Sequence, residues 1–298
     1  MGFRLGALEE LELRRIAVLG ATSSMFGALL VDNSFVSDDD FFHLFSRGQS
    51  GETGGEMMKQ TSSHPLSEFA GSQIEFDEIF NFIGTGNPQV SLSHLRLLRD
   101  ASIHWDSIAL RMLENEQAKK YFSMSSGIAD EVYSSLTSNQ YRDLKVELER
   151  RHGATSLPIS DIRIFGFADV NGKLFPGSLV GDIGLAISRR EPLVTDTSDP
   201  VRDYCGAQEL SSLLAALRKN EDSRGVSELH SLAPVTKTEL LDFLTKSELL
   251  SVSRSKDPLK TSTGLKPKYI PRNFENLSGY TPTRNSLEVV CSALGVGL

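Results

Sequence analysis

The sequence predicts an α/β chain, a doubly wound parallel sheet followed by a smaller C-terminal lobe. Three observations carry the prediction. Short apolar runs recur at Arg15–Gly20, Phe41–Arg47, Phe76–Gly84, Tyr121–Met124 and Ile159–Phe167, the pattern of strands buried on both faces. Helical periodicity stands between several of them, as parallel strands require, because each crossover must bring the chain back to the same end of the sheet. Gly20, Gly84 and the Ser125-Ser126-Gly127 turn all close such strands, at the carboxyl ends where sheets of this kind bind ligands.

The chain has 298 residues, 39% hydrophobic and 23% charged, ordinary for a globular protein with a large core. Its formal charge of −8 argues against a nucleic-acid partner, which needs a basic stripe to meet phosphates, but leaves room for small anionic ligands held by one Arg. Cys205 and Cys291 form no C-x-x-C pair and read as two buried thiols in a reducing compartment. No run reaches the roughly 18 apolar residues of a membrane span, and the acidic Glu9, Glu10 and Glu12 are unlike a signal peptide. The expectation is a cytoplasmic protein without a membrane partner.

The first strand leads into Ala21-Thr22-Ser23-Ser24-Met25-Phe26-Gly27 and a helix over 28–31. Strand, small-residue turn and helix is the arrangement that sets a pyrophosphate on backbone N–H groups. Gly20 opens the motif, Ser23 stands where a middle Gly belongs, and Gly27 arrives one residue late, so a simple strand-to-helix turn explains the same residues. At the end of the second strand an acidic residue would hold the ribose of NAD. Arg47 stands there instead, which suits a 2′-phosphate and leans the reading towards NADP, with a surface Arg as the alternative. The polar stretch 49–72 reads as a loop or a poorly defined third strand, and 92–115 as one or two helices.

The stretch from Tyr121 to Arg151 carries the chemistry. Tyr141 and Lys145 stand one helical turn apart and leave the same face. Beside the end of a strand carrying Ser126, they would bring a phenol, an ammonium and a hydroxyl to one point, a proton-transfer site for an alcohol or ketone. A free phenol has a pKa near ~10, and a neighbouring cation favours the phenolate. In the second half, helices are predicted over 208–218 and 237–249, a short strand over 192–194, and Ser286 as the cap of a last helix.

Taken together, RIAVLGATS at 15–23, FIGTG at 82–86, FSMSSG at 122–127, YRDLK at 141–145, DIRIFG at 161–166, RDY at 202–204 and SGYTPTRNSLEVV at 278–290 resemble the extended short-chain dehydrogenase/reductase family. The likeness is to its NAD-dependent epimerase/dehydratase branch, which acts on sugar nucleotides. The pieces follow the family's order over nearly the whole chain. The resemblance implies a Rossmann dinucleotide-binding domain over 1–167, and over 168–298 a mainly substrate-binding lobe from which 203–232 returns to the sheet. It implies Ser126, Tyr141 and Lys145 as the catalytic trio, and NAD or NADP held by Gly20, Thr22, Ser23, Gly27, Arg47, Gly84 and Lys145. It further implies a nucleotide-sugar substrate held by Ser126 and by Arg202 on its diphosphate, and a homodimer formed through helices 92–115 and 137–151.

Three departures stand out: the altered glycine motif, Gly166 where relatives carry an Asn, and a Ser126–Tyr141 interval of 15 residues that is shorter than usual. Dehydratases of the branch place Asp and Glu directly after the hydroxyl residue, whereas Gly127 and Ile128 follow here. An epimerase or ketoreductase is therefore favoured. A catalytically silent cofactor-binding regulator or scaffold of the same fold is the alternative. The six histidines are scattered with no H-E-x-x-H and no Cys/His cluster, so no metal is expected, and no G-x-S-x-G or P-loop motif points elsewhere.

Overall fold

A computed structural model describes residues 13–32, 34–47, 60–84, 92–135, 140–168, 178–255, 267–272 and 279–297. In chain order its elements are β1 (Arg14–Leu19), α1 (Ser24–Leu29), β2 (Asp40–Ser46), β3 (Thr61–Pro65), α2 (Leu66–Phe69), β4 (Phe76–Asn81), α3 (Leu92–Glu114), β5 (Ala118–Ser126), α4 (Glu131–Ser135), α5 (Gln140–Gly153) and β6 (Ile159–Ile164). There follow α6 (Leu179–Arg189), β7 (Leu193–Asp196), β8 (Val201–Arg202), α7 (Ala207–Lys219), β9 (Gly225–Glu228), β10 (Val235–Thr236), α8 (Lys237–Lys246), β11 (Val252–Ser255), β12 (Lys268–Tyr269) and α9 (Ser286–Ala293).

Seven strands form one parallel sheet in the order β3-β2-β1-β4-β5-β6-β9. Strand order reverses between β1 and β4, which opens a crevice at their carboxyl ends. Alternate residues feed two cores. Ile16, Val18, Phe42, Leu44, Phe80 and Phe122 pack with Phe26 of α1 and Leu210 and Leu214 of α7, and the Phe80 and Phe122 rings stack at 4.9 Å. Ala17, Leu19, Phe45, Ile79 and Tyr121 face the other way, onto Phe69 of α2 and Ile108 and Met112 of α3. Each large side chain so buried contributes about 1.5–3 kcal/mol, which is why the strands read as unbroken apolar runs.

The C-terminal elements have their own core, built from Val180 and Ile183, Leu240 and Leu244, and Val289 and Val290 around the small sheets β10-β8-β12 and β11-β7. Among the described residues no helix is long and apolar enough to cross a membrane.

Several boundaries differ from those the sequence predicts. The first helix begins at Ser24 rather than at 28, because the Ser23 hydroxyl accepts from the Phe26 N–H and caps it. Residues 92–114 form a single helix, and a third strand does exist at 61–65. Strand β5 runs on through Ser125 and Ser126, so the turn starts at Gly127. The cap of α9 is Asn285, whose side chain accepts from Glu288 N; Ser286 is the first helical residue, and its buried Oγ instead accepts from Tyr204 N at 2.8 Å.

Candidate active site

Strand β5 delivers Ser126 to the carboxyl end of the sheet, and Gly127 is required directly behind it. A Cβ there would lie 2.3 Å from the Phe165 ring, so the position that carries an acid in dehydratases has no room for a side chain. Asp130, farther along, is committed to Arg163 and Arg272 at 3.1 Å each. Helix α5 then returns along the sheet with Tyr141 and Lys145 facing this strand end.

Three of the residues singled out in the sequence meet. The Tyr141 phenol lies beside the Ser126 hydroxyl. Lys145, 6% exposed, donates from Nζ to the Met124 carbonyl at 2.7 Å, and the same ammonium lies 5.9 Å from the centre of the Tyr141 ring. Burial raises the Tyr141 phenol above its ordinary pKa, opposed by the neighbouring Ser126 hydroxyl. This reverses the expected direction, because the Lys145 ammonium is turned to a backbone carbonyl rather than to the phenol oxygen. Burial pushes Lys145 down to about 8 against the pull of Asp161, Glu149 and Asp106. The site thus holds a neutral phenol beside a lysine whose charge is easily lost.

Arg202, in β8, is buried on the same side. It pairs in register with Tyr269 of β12, donates to the Val201 carbonyl at 2.8 Å, and feels the phenols of Tyr204, Tyr269 and Tyr133. Of its two acidic neighbours in sequence, Asp203 accepts from Ser231 N at 3.0 Å and from the Ser231 hydroxyl, and Asp199 accepts from Thr238 N. Gly166 has a steric reason: a Cβ would sit 2.6 Å from the Asp203 carbonyl oxygen.

Gly20 lies at the crevice between β1 and β4. Its φ of +77° and the 3.0 Å that would separate a Cβ from Phe82 C and Ile83 N both demand glycine. Thr22 is exposed, Gly27 and Gly84 have nothing within 4 Å of a built Cβ, and Arg47 stands exposed just past β2. Ser23 and Phe26 depart from the glycine pattern. Phe26 is buried against Phe82 at 5.4 Å between rings, filling space a close helix–strand contact would otherwise use.

Sequence reasoning missed Tyr269, whose hydroxyl lies 3.3 Å from Ser126 Oγ. Tyr133 holds it from the side, donating to the Ile270 carbonyl and accepting from the Ile270 N–H, with the Tyr133 and Tyr269 rings at 4.9 Å. No local periodicity marks it. Also missed was a buried cluster behind the site, in which His152 bridges Asp106 at 2.7 Å and Asp161 at 2.8 Å.

The fold is similar over the whole chain to that of solved NAD-dependent sugar-nucleotide epimerases and dehydratases. A UDP-N-acetylglucosamine 4-epimerase from Methanobrevibacter ruminantium in complex with UDP-N-acetylmuramic acid superposes at a TM-score of 0.73 with 14% identity, covering 95% of this chain and 97% of its own. The UDP-glucose 4-epimerase of Bifidobacterium longum, in complex with NAD+ and UDP, gives a TM-score of 0.73 at 16% identity over 94% and 97%. An NAD-dependent NDP-hexosamine 5,6-dehydratase of tunicamycin biosynthesis gives 0.71 at 12% over 95% and 97%. No family model matches the sequence, and no curated protein matches it either. The likeness is one of fold, over the whole chain. The lean towards NADP drawn from Arg47 gains nothing from the Bifidobacterium longum complex, in which NAD+ is the cofactor named.

Proposed function

We propose that the chain is an NAD-dependent oxidoreductase or epimerase acting on a sugar nucleotide. The observation that carries the reading is the meeting of Ser126, Tyr141 and Lys145, the last with its ammonium 5.9 Å from the centre of the Tyr141 ring, at the strand end where this fold binds ligands. NAD, held at Gly20, Thr22, Ser23 and Gly27 with Arg47 and Gly84 beside it, supplies a hydride acceptor and donor when bound. Ser126 orients the sugar oxygen, and Tyr141 moves its proton. Lys145, whose ammonium already donates to the Met124 carbonyl, has further N–H groups with which it bonds the ribose. Arg202 clamps the diphosphate, since its planar fork matches phosphate oxygens. The Gly127 backbone leaves no place for a dehydratase acid, which favours epimerase or ketoreductase chemistry.

The same proposal takes 1–167 as the dinucleotide-binding domain joined by 203–232, with the rest of 168–298 as the substrate-binding lobe. It places the protein in the cytoplasm as a homodimer paired through α3 and α5, which Arg99 and Glu147 already clasp together at 2.6 Å. Native mass spectrometry and absorbance of the purified protein test the reading. Bound or added nicotinamide nucleotide is expected; failure to bind NAD or NADP at millimolar concentration rejects it. A second reading, a regulator that keeps the fold without the reaction, is favoured by Ser23 and Phe26 in the altered turn. Tight NAD binding without turnover on any UDP-sugar would select it.

A further inference from the structure

Away from the cleft, the parallel register of β2 and β3 gathers residues that look scattered in the sequence. His43 stands opposite Ser62 across the ladder, Phe45 stands opposite His64, and period-two alternation sends His43, Ser62 and His64 out of the same face. His43 Nδ1 and His64 Nε2 face each other at 3.4 Å, and the Ser62 hydroxyl lies 2.9 Å from the first and 2.8 Å from the second. On the far side of its ring, His64 Nδ1 meets Glu68 Oε2 at 3.5 Å, one turn into α2. Aromatic rings fix the imidazoles: Phe45 stacks on His64 at 5.1 Å, and Phe76 meets His43 edge-on at 5.5 Å.

We propose that His43, His64 and Ser62 form a binding site for a divalent late first-row transition metal, with Zn2+ as its representative. Two imidazole nitrogens on one tetrahedral ion, each bonded at about 2.0–2.1 Å, stand about 3.3–3.4 Å apart, which is the spacing observed. A carboxylate on the outer nitrogen of a ligating histidine directs the other nitrogen's lone pair at the ion, and Glu68 is placed to do this for His64. Imidazole nitrogens select zinc, copper or nickel over magnesium or calcium. Among the described residues no third His, Cys, Asp or Glu completes the set, so the remaining positions fall to water and to the Ser62 hydroxyl, which must swing out from its 2.8–2.9 Å hydrogen bonds to about 3.3 Å from each nitrogen to join a tetrahedral ion. The His64 side chain is 26% exposed, which gives the ion a way in. The site joins the edge strand to its neighbour, so a bound ion pins the edge of the sheet.

Isothermal titration of untagged, full-length protein with ZnCl2, and visible absorption on adding Co2+, test the proposal without reference to any enzymatic activity. One ion per chain is expected, with the intense absorption of low-coordinate Co2+. His64→Gln, at a ring only 26% exposed whose replacement is checked for folding by circular dichroism, should abolish stoichiometric binding. Glu68→Gln should weaken it by about 10-fold or more, as outer partners of metal-bound histidines do. Absence of a stoichiometric ion in the wild-type protein, or undiminished affinity in folded His64→Gln, overturns the proposal and leaves the trio a hydrogen-bonded cluster only.

Discussion

The hydroxyls of Ser126 and Tyr269 lie 3.3 Å apart, joining the end of a central strand to a strand of the C-terminal lobe 143 residues later. Tyr269→Phe removes this bond and keeps the ring between Tyr133 and Phe165. The expected loss of stability is about 0.5–1.5 kcal/mol, the usual net worth of one hydrogen bond, read from the urea midpoint. NAD affinity should not change, because Tyr269 is not among the residues proposed to hold NAD.

Tyr141→Phe keeps the ring and removes the group proposed to move the proton. Turnover on a UDP-sugar should fall by at least ~10², the usual scale for an acid/base group, with NAD affinity retained. Near-normal turnover would remove Tyr141 from the chemistry.

His152 sits between Asp106 and Asp161, with the Tyr121 ring at 5.6 Å and Arg151 on the other oxygen of Asp106 at 3.2 Å. Burial opposes its charge, but the bonds from the two carboxylates outweigh burial and lift it from 6.5 to about 9. Its folded pKa is raised, so its stabilisation is complete below 6.5, declines above that and is lost as the pH passes about 9. In His152→Gln this component of the pH dependence should vanish. Denaturation midpoints of both proteins at several pH values across that window will show it, and an unchanged difference between them would mean that His152 is neutral throughout.

Gly20→Ala forces a side chain into a left-handed backbone and to 3.0 Å from the Phe82–Ile83 peptide. A loss of roughly 1–3 kcal/mol is expected from backbone strain, together with weakened NAD binding. Wild-type stability and affinity in that variant would show that the turn has slack.

Much of this was legible in the sequence because it is local. A strand buried on both faces reads as an apolar run, and the one-turn spacing of Tyr141 and Lys145 fixes their common helix face. The steric demands at Gly127 and Gly166 were invisible, since Phe165 and the Asp203 carbonyl reach them only in the folded chain. The cap of the last helix was misassigned for a similar reason: Ser286 is drawn away from capping by Tyr204, 82 residues distant.

By itself the sequence determined the alternating α/β order, the strands that fill the sheet and the residues able to carry proton transfer, because periodicity and side-chain chemistry act over a few residues. Only the tertiary structure decided that Tyr269 joins Ser126, that His43 meets His64, and that Lys145 spends its proton on the Met124 carbonyl. Those pairings depend on the register and packing of distant segments, which no local pattern encodes.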